Sequence, residues 1–198
     1  MREMIGTFKN EAVHSLEGKW GSSAVLVLVS GVLGLAFSYL LYGIPSILLL
    51  PMSWGVAVAF LEVSRGNNPD LGWLTRGYSR FSEVFLTMLL REIYVGLWAL
   101  LLIVPGIVKS YSYAMTPYIL QDDPDCKYDA AICRSMSMMQ GHKMDLFLLD
   151  LSFIGWAILC LLTLGIGFLF LTPYWHTARA KFYEELVAGE NICGKEFA

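Results

Sequence analysis

The sequence predicts an all-α, polytopic membrane protein with six transmembrane helices in three hairpin units, each preceded by an amphipathic helix. Three observations lead there. Hydrophobic residues make up 56% of the 198-residue chain and charged residues only 16%, against about 25% charged in soluble domains. From Trp20 to Leu61 the chain has no Asp, Glu, Lys or Arg, a stretch long enough for two crossings of about 20 residues each. A pattern of glycine and proline also recurs three times along the chain, as in repeat architectures.

That pattern is Gly-Ile at Gly43-Ile44, Gly106-Ile107 and Gly165-Ile166, at nearly equal intervals. Pro45, Pro105 and Gly167 stand beside these pairs. Each lies between two apolar stretches, where a helical hairpin has to turn; glycine supplies unusual backbone angles and proline ends a hydrogen-bond ladder. A second marker precedes each turn at a similar spacing: Gly18-Lys19-Trp20, Gly77-Tyr78-Ser79 and Gly141-His142-Lys143. Pro51, Phe60 and Glu62 match Pro173, Phe182 and Glu184 at one constant offset. The chain therefore reads as one integral membrane domain, 1–198, with repeat units of about 1–63, 64–122 and 123–190.

Each unit is expected to open with an amphipathic helix. Ile5, Phe8, Ala12, Leu16 and Trp20 step by three or four in the first unit. Leu71, Leu74, Tyr78, Phe81 and Phe85 do so after Asn68-Pro69-Asp70, and Tyr128, Ile132, Met136 and Met139 after Asp123-Pro124-Asp125. Asn or Asp before Pro is a helix-start signal, and the apolar stripe suits a helix lying on a bilayer or a bundle. The segment before Trp20 is too polar for a signal-peptide core, so the first crossing is expected to be retained. The crossings fall near 20–42, 45–62, 80–104, 107–121, 144–163 and 167–186. Ser30, Gly34 and Ser38, and Gly55 with Ala59, form small-residue stripes that let helices approach closely in lipid.

Six crossings put both termini on one side. Arg2, Lys9, Lys19, Arg65, Arg76, Arg80, Lys127, Arg134, Lys143, Arg179, Lys181 and Lys195 fall on that side or near it, all but two of the basic residues. Lys109 lies at the opposite turn and Arg91 inside a helix. The positive-inside rule makes the common side cytoplasmic. A net charge of −3 lacks the basic footprint of a nucleic-acid binder, so no nucleic acid is expected as a partner.

Catalytic groupings are sparse. No HExxH, GxSxG, P-loop or GxGxxG pattern occurs in a suitable context. Cys126, Cys133, Cys160 and Cys193 contain no CxxC and no zinc spacing, so reduced structural thiols are expected, with no metal and no cofactor. His14 and His142 read as solvated surface, whereas His176 follows Tyr174-Trp175 inside the last crossing.

Two polar or aromatic sites remain as candidates. Arg91 precedes Gly106 by the same number of positions as Asp150 precedes Gly165. Glu92 lies one position nearer its turn, and Arg179 follows Gly165 by that same shorter distance. All four fall at one level, about 20–22 Å below the turns. Charges inside a membrane face the bundle interior and pair, so contacts are expected among Arg91, Glu92, Asp150 and Arg179, with Arg91–Asp150 the leading pair. Trp54, Trp98, Trp156 and Trp175 also share a level, roughly 12–16 Å from their turns by helix rise. With His176 they define a candidate aromatic pocket at mid-membrane, where tryptophan is less usual than at the interface.

Several segments resemble a known family. They run from Leu97-Trp98-Ala99 to Val104-Pro105-Gly106-Ile107, then through Tyr111-Ser112-Tyr113-Ala114-Met115, Asp122-Asp123-Pro124 and Ala130-Ala131-Ile132-Cys133-Arg134-Ser135. Leu151-Ser152-Phe153-Ile154-Gly155-Trp156 and Pro173-Tyr174 follow. The series resembles the bacterial integral-membrane family catalogued as domain of unknown function 975, with a likeness from the amphipathic start to Tyr183. Cys133 departs from the plain aliphatic or small residue more usual there. A weaker likeness is to the membrane region attached to some bacterial glycerophosphodiester phosphodiesterases. The resemblance implies a bacterial inner-membrane protein and no catalytic residues. A non-enzymatic scaffold or lipid-associated accessory protein is the leading expectation, with a small transporter or channel as the alternative and an intramembrane enzyme third. The expected partners are membrane lipids and either a second copy or another membrane protein.

Overall fold

The computed structural model describes residues 2–40, 50–163 and 165–196, with side chains over 5–34, 50–163 and 165–189. Among the described residues the chain is helical, without a strand. The helices are α1 (Arg2–Leu16), α2 (Trp20–Leu40), α3 (Leu50–Ser64), α4 (Gly72–Ser79) and α5 (Phe81–Leu101). After them come α6 (Ile103–Ser112), α7 (Thr116–Asp122), α8 (Asp129–Met138), α9 (Lys143–Leu162) and α10 (Phe168–Glu196). By length and composition α5 and α9 can each cross a membrane, and α1 with α2 can do so as a pair bent by 94°. Two or three span-like helices therefore carry the membrane assignment.

Local chemistry explains most boundaries. Gly18, at φ +75°, closes α1 and admits the bend into α2. Asp70 starts α4 as its position beside proline suggests, because its carboxylate accepts the Gly72 N–H at 3.1 Å. Asp123-Pro124-Asp125 behaves differently. α8 begins only at Asp129, after Tyr128 at φ +52°, and Asp123 pairs with Arg134 at 2.8 Å. The carboxylate finds a guanidinium nearby and is drawn from the capping role.

The hairpin turns also differ in detail from the Gly-Ile positions. The turn at Gly43-Ile44 lies outside the described residues. Gly165, at φ +85°, does lie in the turn between α9 and α10. In the middle hairpin the helix breaks at Leu102, which is extended, and Pro105 and Gly106 fall in the first turn of α6. Proline is tolerated there because first-turn N–H groups have no helical acceptor. Gly106 serves close approach: a Cβ on it would stand 2.6 Å from Ala99 Cα.

The stretch expected to cross at 107–121 is two short helices. α6 ends at Ser112 and α7 starts at Thr116, with Pro117 at its beginning. Ser135 of α8 stabilises this break, since its hydroxyl donates to Ser112 O at 2.9 Å and accepts from the Met115 N–H at 3.2 Å. Lys109, expected near the far surface, brings its ammonium to 3.9 Å from Met136 Sδ on α8.

α10 is the axis of the packing, touching α1, α2, α3 and α9. Phe8 and Ala12, Leu61, Met115 and Ile119, Met139, Leu146 and Leu149, and Ala178 and Phe182 form its main core. A second cluster joins Leu16, Leu26, Phe60 and Leu74. Exposed large apolar side chains concentrate on the α5–α6 and α9–α10 turns. α3 and α4 meet through glycine on both sides, and the Gly55 stripe faces α4 at this contact. A Cβ on Gly55 would lie 2.6 Å from Trp73 O, and one on Gly77 2.5 Å from Pro51 O. Both obstacles are backbone. Gly77→Ala should therefore cost about 1–3 kcal/mol through overpacking, read as a lower Tm in detergent. Gly21→Ala, with nothing within 4 Å, should not lower it.

Candidate functional site

The four intramembrane-candidate charges form two pairs. Asp150 on α9 is held chiefly by α10, where Trp175 Nε1 donates to Oδ1 at 2.8 Å and Arg179 Nη2 to Oδ2 at 3.2 Å, and the Tyr111 hydroxyl of α6 also reaches it. Trp175 and Arg179 are one helical turn apart, so one helix face presents both donors. The guanidinium also stacks 4.5 Å over the Trp175 ring, a geometry that favours a cation. Asp150 and Arg179 are each about one-fifth exposed.

Arg91 does not bind Asp150. Its Nε donates to Tyr113 O at 3.1 Å and its Nη1 pairs with Glu92 at 2.6 Å. The backbone break after α6 presents that carbonyl, which also accepts the Thr116 N–H at 3.3 Å. Tyr118 lies within electrostatic reach of Arg91, Asp150 and Arg179 and stands between the two pairs. The pairing expected between Arg91 and Asp150 depends on helix rotation, which spacing along the sequence does not carry.

The aromatic set does not converge. Trp54 is buried, donating to Pro117 O at 3.0 Å. Trp98 lies beneath the Lys109 ammonium at 5.0 Å, and Trp156 is exposed on α9. Only Trp175 and His176 touch, at 4.7 Å between rings, and His176 also stacks on Phe60 at 5.3 Å. Trp175 and Trp156 line different grooves on the α9–α10 hairpin. The first holds about 250 Å³ beside Phe153, Ala157 and Leu171, with Asp150 at its edge. The second holds about 320 Å³ beside Trp20, Leu159, Phe170 and Tyr174. A larger cavity of about 490 Å³ lies between Phe8, His142, Phe182 and Glu185, with mixed polarity.

Sequence reasoning missed a third cluster. Arg65, just past α3, grips Asp122 at the end of α7 through two hydrogen bonds, at 2.9 and 2.6 Å. Tyr183 of α10 donates to the same carboxylate at 3.0 Å. Glu184 lies 3.6 Å from Arg65 and accepts from Ser64 Oγ at 2.9 Å. The bidentate bond to Asp122 raises the Arg65 pKa above its ordinary value. The only available signal was the matched pair Glu62 and Glu184, which says nothing of Arg65. Among the described residues no three His, Cys, Asp or Glu side chains gather to hold a metal. The described free thiols are Cys126, Cys133 and Cys160; burial raises the Cys126 pKa, which disfavours the reactive thiolate.

The fold and these sites define a helical membrane protein with paired charges and apolar grooves. Residues 100–190, a little under half of the chain, match the family described as "Protein of unknown function (DUF975)". The match runs from the end of α5 into α10, a shorter span than the likeness read along the sequence. No curated protein and no solved structure matches the chain.

Asp150→Ala leaves Arg179 and the Trp175 N–H without their acceptor and should cost about 2–3 kcal/mol, measured as a fall in Tm in detergent. Glu92→Ala, at a half-exposed position, should stay within about 0.5 kcal/mol. Asp122→Ala removes the acceptor shared by Arg65 and Tyr183 and should cost about 1–2 kcal/mol, reduced by the partial exposure of the Arg65–Asp122 pair.

Proposed function

We propose that this protein is a non-enzymatic component of the membrane that associates with lipid, as a scaffold or accessory protein. The observation that carries the reading is the pair of apolar grooves flanking the α9–α10 hairpin. They open sideways along helices whose outer faces are leucine, isoleucine and phenylalanine. An acyl chain fits such a groove through many weak dispersion contacts. At the edge of one groove Asp150 and the Trp175 indole add a polar end, the combination of apolar length and few polar anchors usual in ligand sites.

Three hairpin units complete the reading, with both termini cytoplasmic in a bacterial inner membrane and up to six crossings. In support, a short helix, a long helix and a return helix follow in order as α4–α5–α6 and again as α8–α9–α10. The glycine approach repeats as well: Gly106 lies against Ala99 and Gly167 against Cys160, at the same spacing along the chain. The second reading is a small transporter or channel. It is favoured by the Asp150–Arg179 pair, because ion pairs inside membranes often line pathways.

The test is native mass spectrometry of the protein extracted in mild detergent from phosphatidylethanolamine/phosphatidylglycerol membranes. Wild type should retain phospholipid. Ala157→Trp, which fills the groove between α9 and α10, should retain less at unchanged Tm. Absence of lipid from wild type, or equal retention by the variant, rejects the reading. Ion or solute flux in proteoliposomes, lost in Asp150→Asn, establishes the transporter in its place.

A further inference from the structure

The two described hairpins end in turns made of lipid-like residues. No Asp, Glu, Lys or Arg occurs from Ile93 to Val108 or from Leu151 to Ala178. Leu100, Ile103 and Leu162 are 88%, 76% and 77% exposed, among the most exposed large apolar side chains described. Turns that surface into water are built mainly from Gly, Pro, Asn, Asp and Ser. These turns carry leucine, isoleucine and valine around their Gly and Pro.

Charged groups mark how far each hairpin projects. α8 carries Arg134, whose ion pair with Asp123 is about two-fifths exposed, and it lies along α5 and α6. Tyr128 N–H donates to Thr87 Oγ1 at 2.9 Å and Tyr94 OH to Asp129 at 3.3 Å. At its other end Met136 meets Lys109 and Ser135 meets Ser112. A helix with exposed charges does not lie in hydrocarbon. The second unit up to Tyr94, and the stretch from Lys109 through α8, therefore stand at or outside the headgroups. From Val95 to the break at Leu102 the rise is about 11 Å.

The third hairpin has the same proportions. Lys9 of α1 donates to Ser152 O at 3.2 Å and sits 4.6 Å over the Phe153 ring, just beyond the Asp150–Arg179 pair. From Phe153 to Leu162 the rise is about 14 Å. The hydrocarbon core of a bilayer is about 30 Å thick. The projections cover about a third to a half of it, within the depth of one leaflet.

We propose that the second and third hairpins are inserted into a single leaflet, the one facing the termini, with their turns near the bilayer midplane. Lys9, Arg91, Lys109 and Arg179 form a cationic belt at the base, at the level of that leaflet's phosphates. The occupant of the exposed apolar face is the acyl chains of that leaflet. The inference rests on the membrane reading above and replaces the two full crossings assigned to each of these hairpins. The full length of α5, 21 residues, is no objection, because its first half is the part flanked by α8.

The test uses the full chain with Cys126, Cys133 and Cys193 changed to Ser and Cys160 to Ala. Leu102→Cys, Ile166→Cys or Gln140→Cys is then added. In spheroplasts and inverted vesicles, a membrane-impermeant maleimide should modify Gln140→Cys from the cytoplasmic face and the two turn cysteines from neither face. Nitroxide labels on the turn cysteines, in phosphatidylcholine/phosphatidylglycerol vesicles, should be accessible to oxygen and shielded from a polar nickel chelate, at midplane depth. Modification of Leu102→Cys or Ile166→Cys from the outer face, in protein that resists carbonate extraction, overturns the single-leaflet insertion and leaves the membrane reading standing. Release of the protein by carbonate overturns both. If the cysteine-free chain does not fold, Leu102→Trp in the native chain gives the same reading. Its added fluorescence should be quenched most by bromine near the acyl-chain ends, and strongest quenching by bromine near the headgroup overturns the proposal.

Discussion

Arg65 holds together three pieces of chain that have no sequence neighbourhood in common. It follows α3, grips the carboxylate that ends α7, and lies beside Glu184 of α10. A guanidinium suits this place because its planar fork satisfies a carboxylate through two bonds and leaves another N–H direction free. Tyr183 donates to the Asp122 carboxylate, and Ser64 and Lys181 to the two oxygens of Glu184. The ends of α3 and α7 and the middle of α10 are tied together here.

The same arrangement explains why the molecule has two kinds of surface. Near the clasp, helices are short, turns are polar, and the core is filled by Phe8, Leu61, Met115, Ile119 and Phe182. Beyond the Asp150–Arg179 pair, side chains face outward and the helices touch through small residues. Gly106 against Ala99 and Gly167 against Cys160 bring backbones together, which is how helices associate when lipid offers no hydrophobic gain. A large side chain at either glycine would splay the hairpin where dispersion contacts do most of the holding.

Much of the helical content was legible from the residues, and the reasons for the failures are physical. Long charge-free stretches and the φ-permissive Gly165 announce α9, α10 and their turn. The break after Ser112 was hidden, because its stabiliser is Ser135 from a distant helix, and no local pattern encodes that hydroxyl. Asp123-Pro124-Asp125 carries a start signal that was outcompeted by Arg134. Counting residues placed Arg91, Glu92, Asp150 and Arg179 at one level, since rise is regular. Partner choice depends on rotation about each helix and on the Tyr113 carbonyl presented at the break after α6, which counting does not reach. Arg65 stayed unnoticed because a basic residue after a crossing reads as a topology signal.

The Asp150 site illustrates how a charge is kept in an apolar setting without becoming a reactive group. A lone carboxylate there would take up a proton or draw in water, because desolvation opposes its charge. Both oxygens are instead committed, one to an indole N–H and one to a guanidinium, and the guanidinium is itself stacked on that indole. The three groups lie on two adjacent helices, with spacing fixed by a single helical turn between Trp175 and Arg179, and the Tyr111 hydroxyl of α6 joins them at the carboxylate. Pairing within α9–α10 makes the hairpin self-sufficient in charge, so it needs no partner from α5. Arg91 is likewise satisfied within its own unit, by Glu92 and the Tyr113 carbonyl. Each hairpin thus carries its own ion pair, and the Tyr111 hydroxyl on Asp150 adds a polar link between the two hairpins.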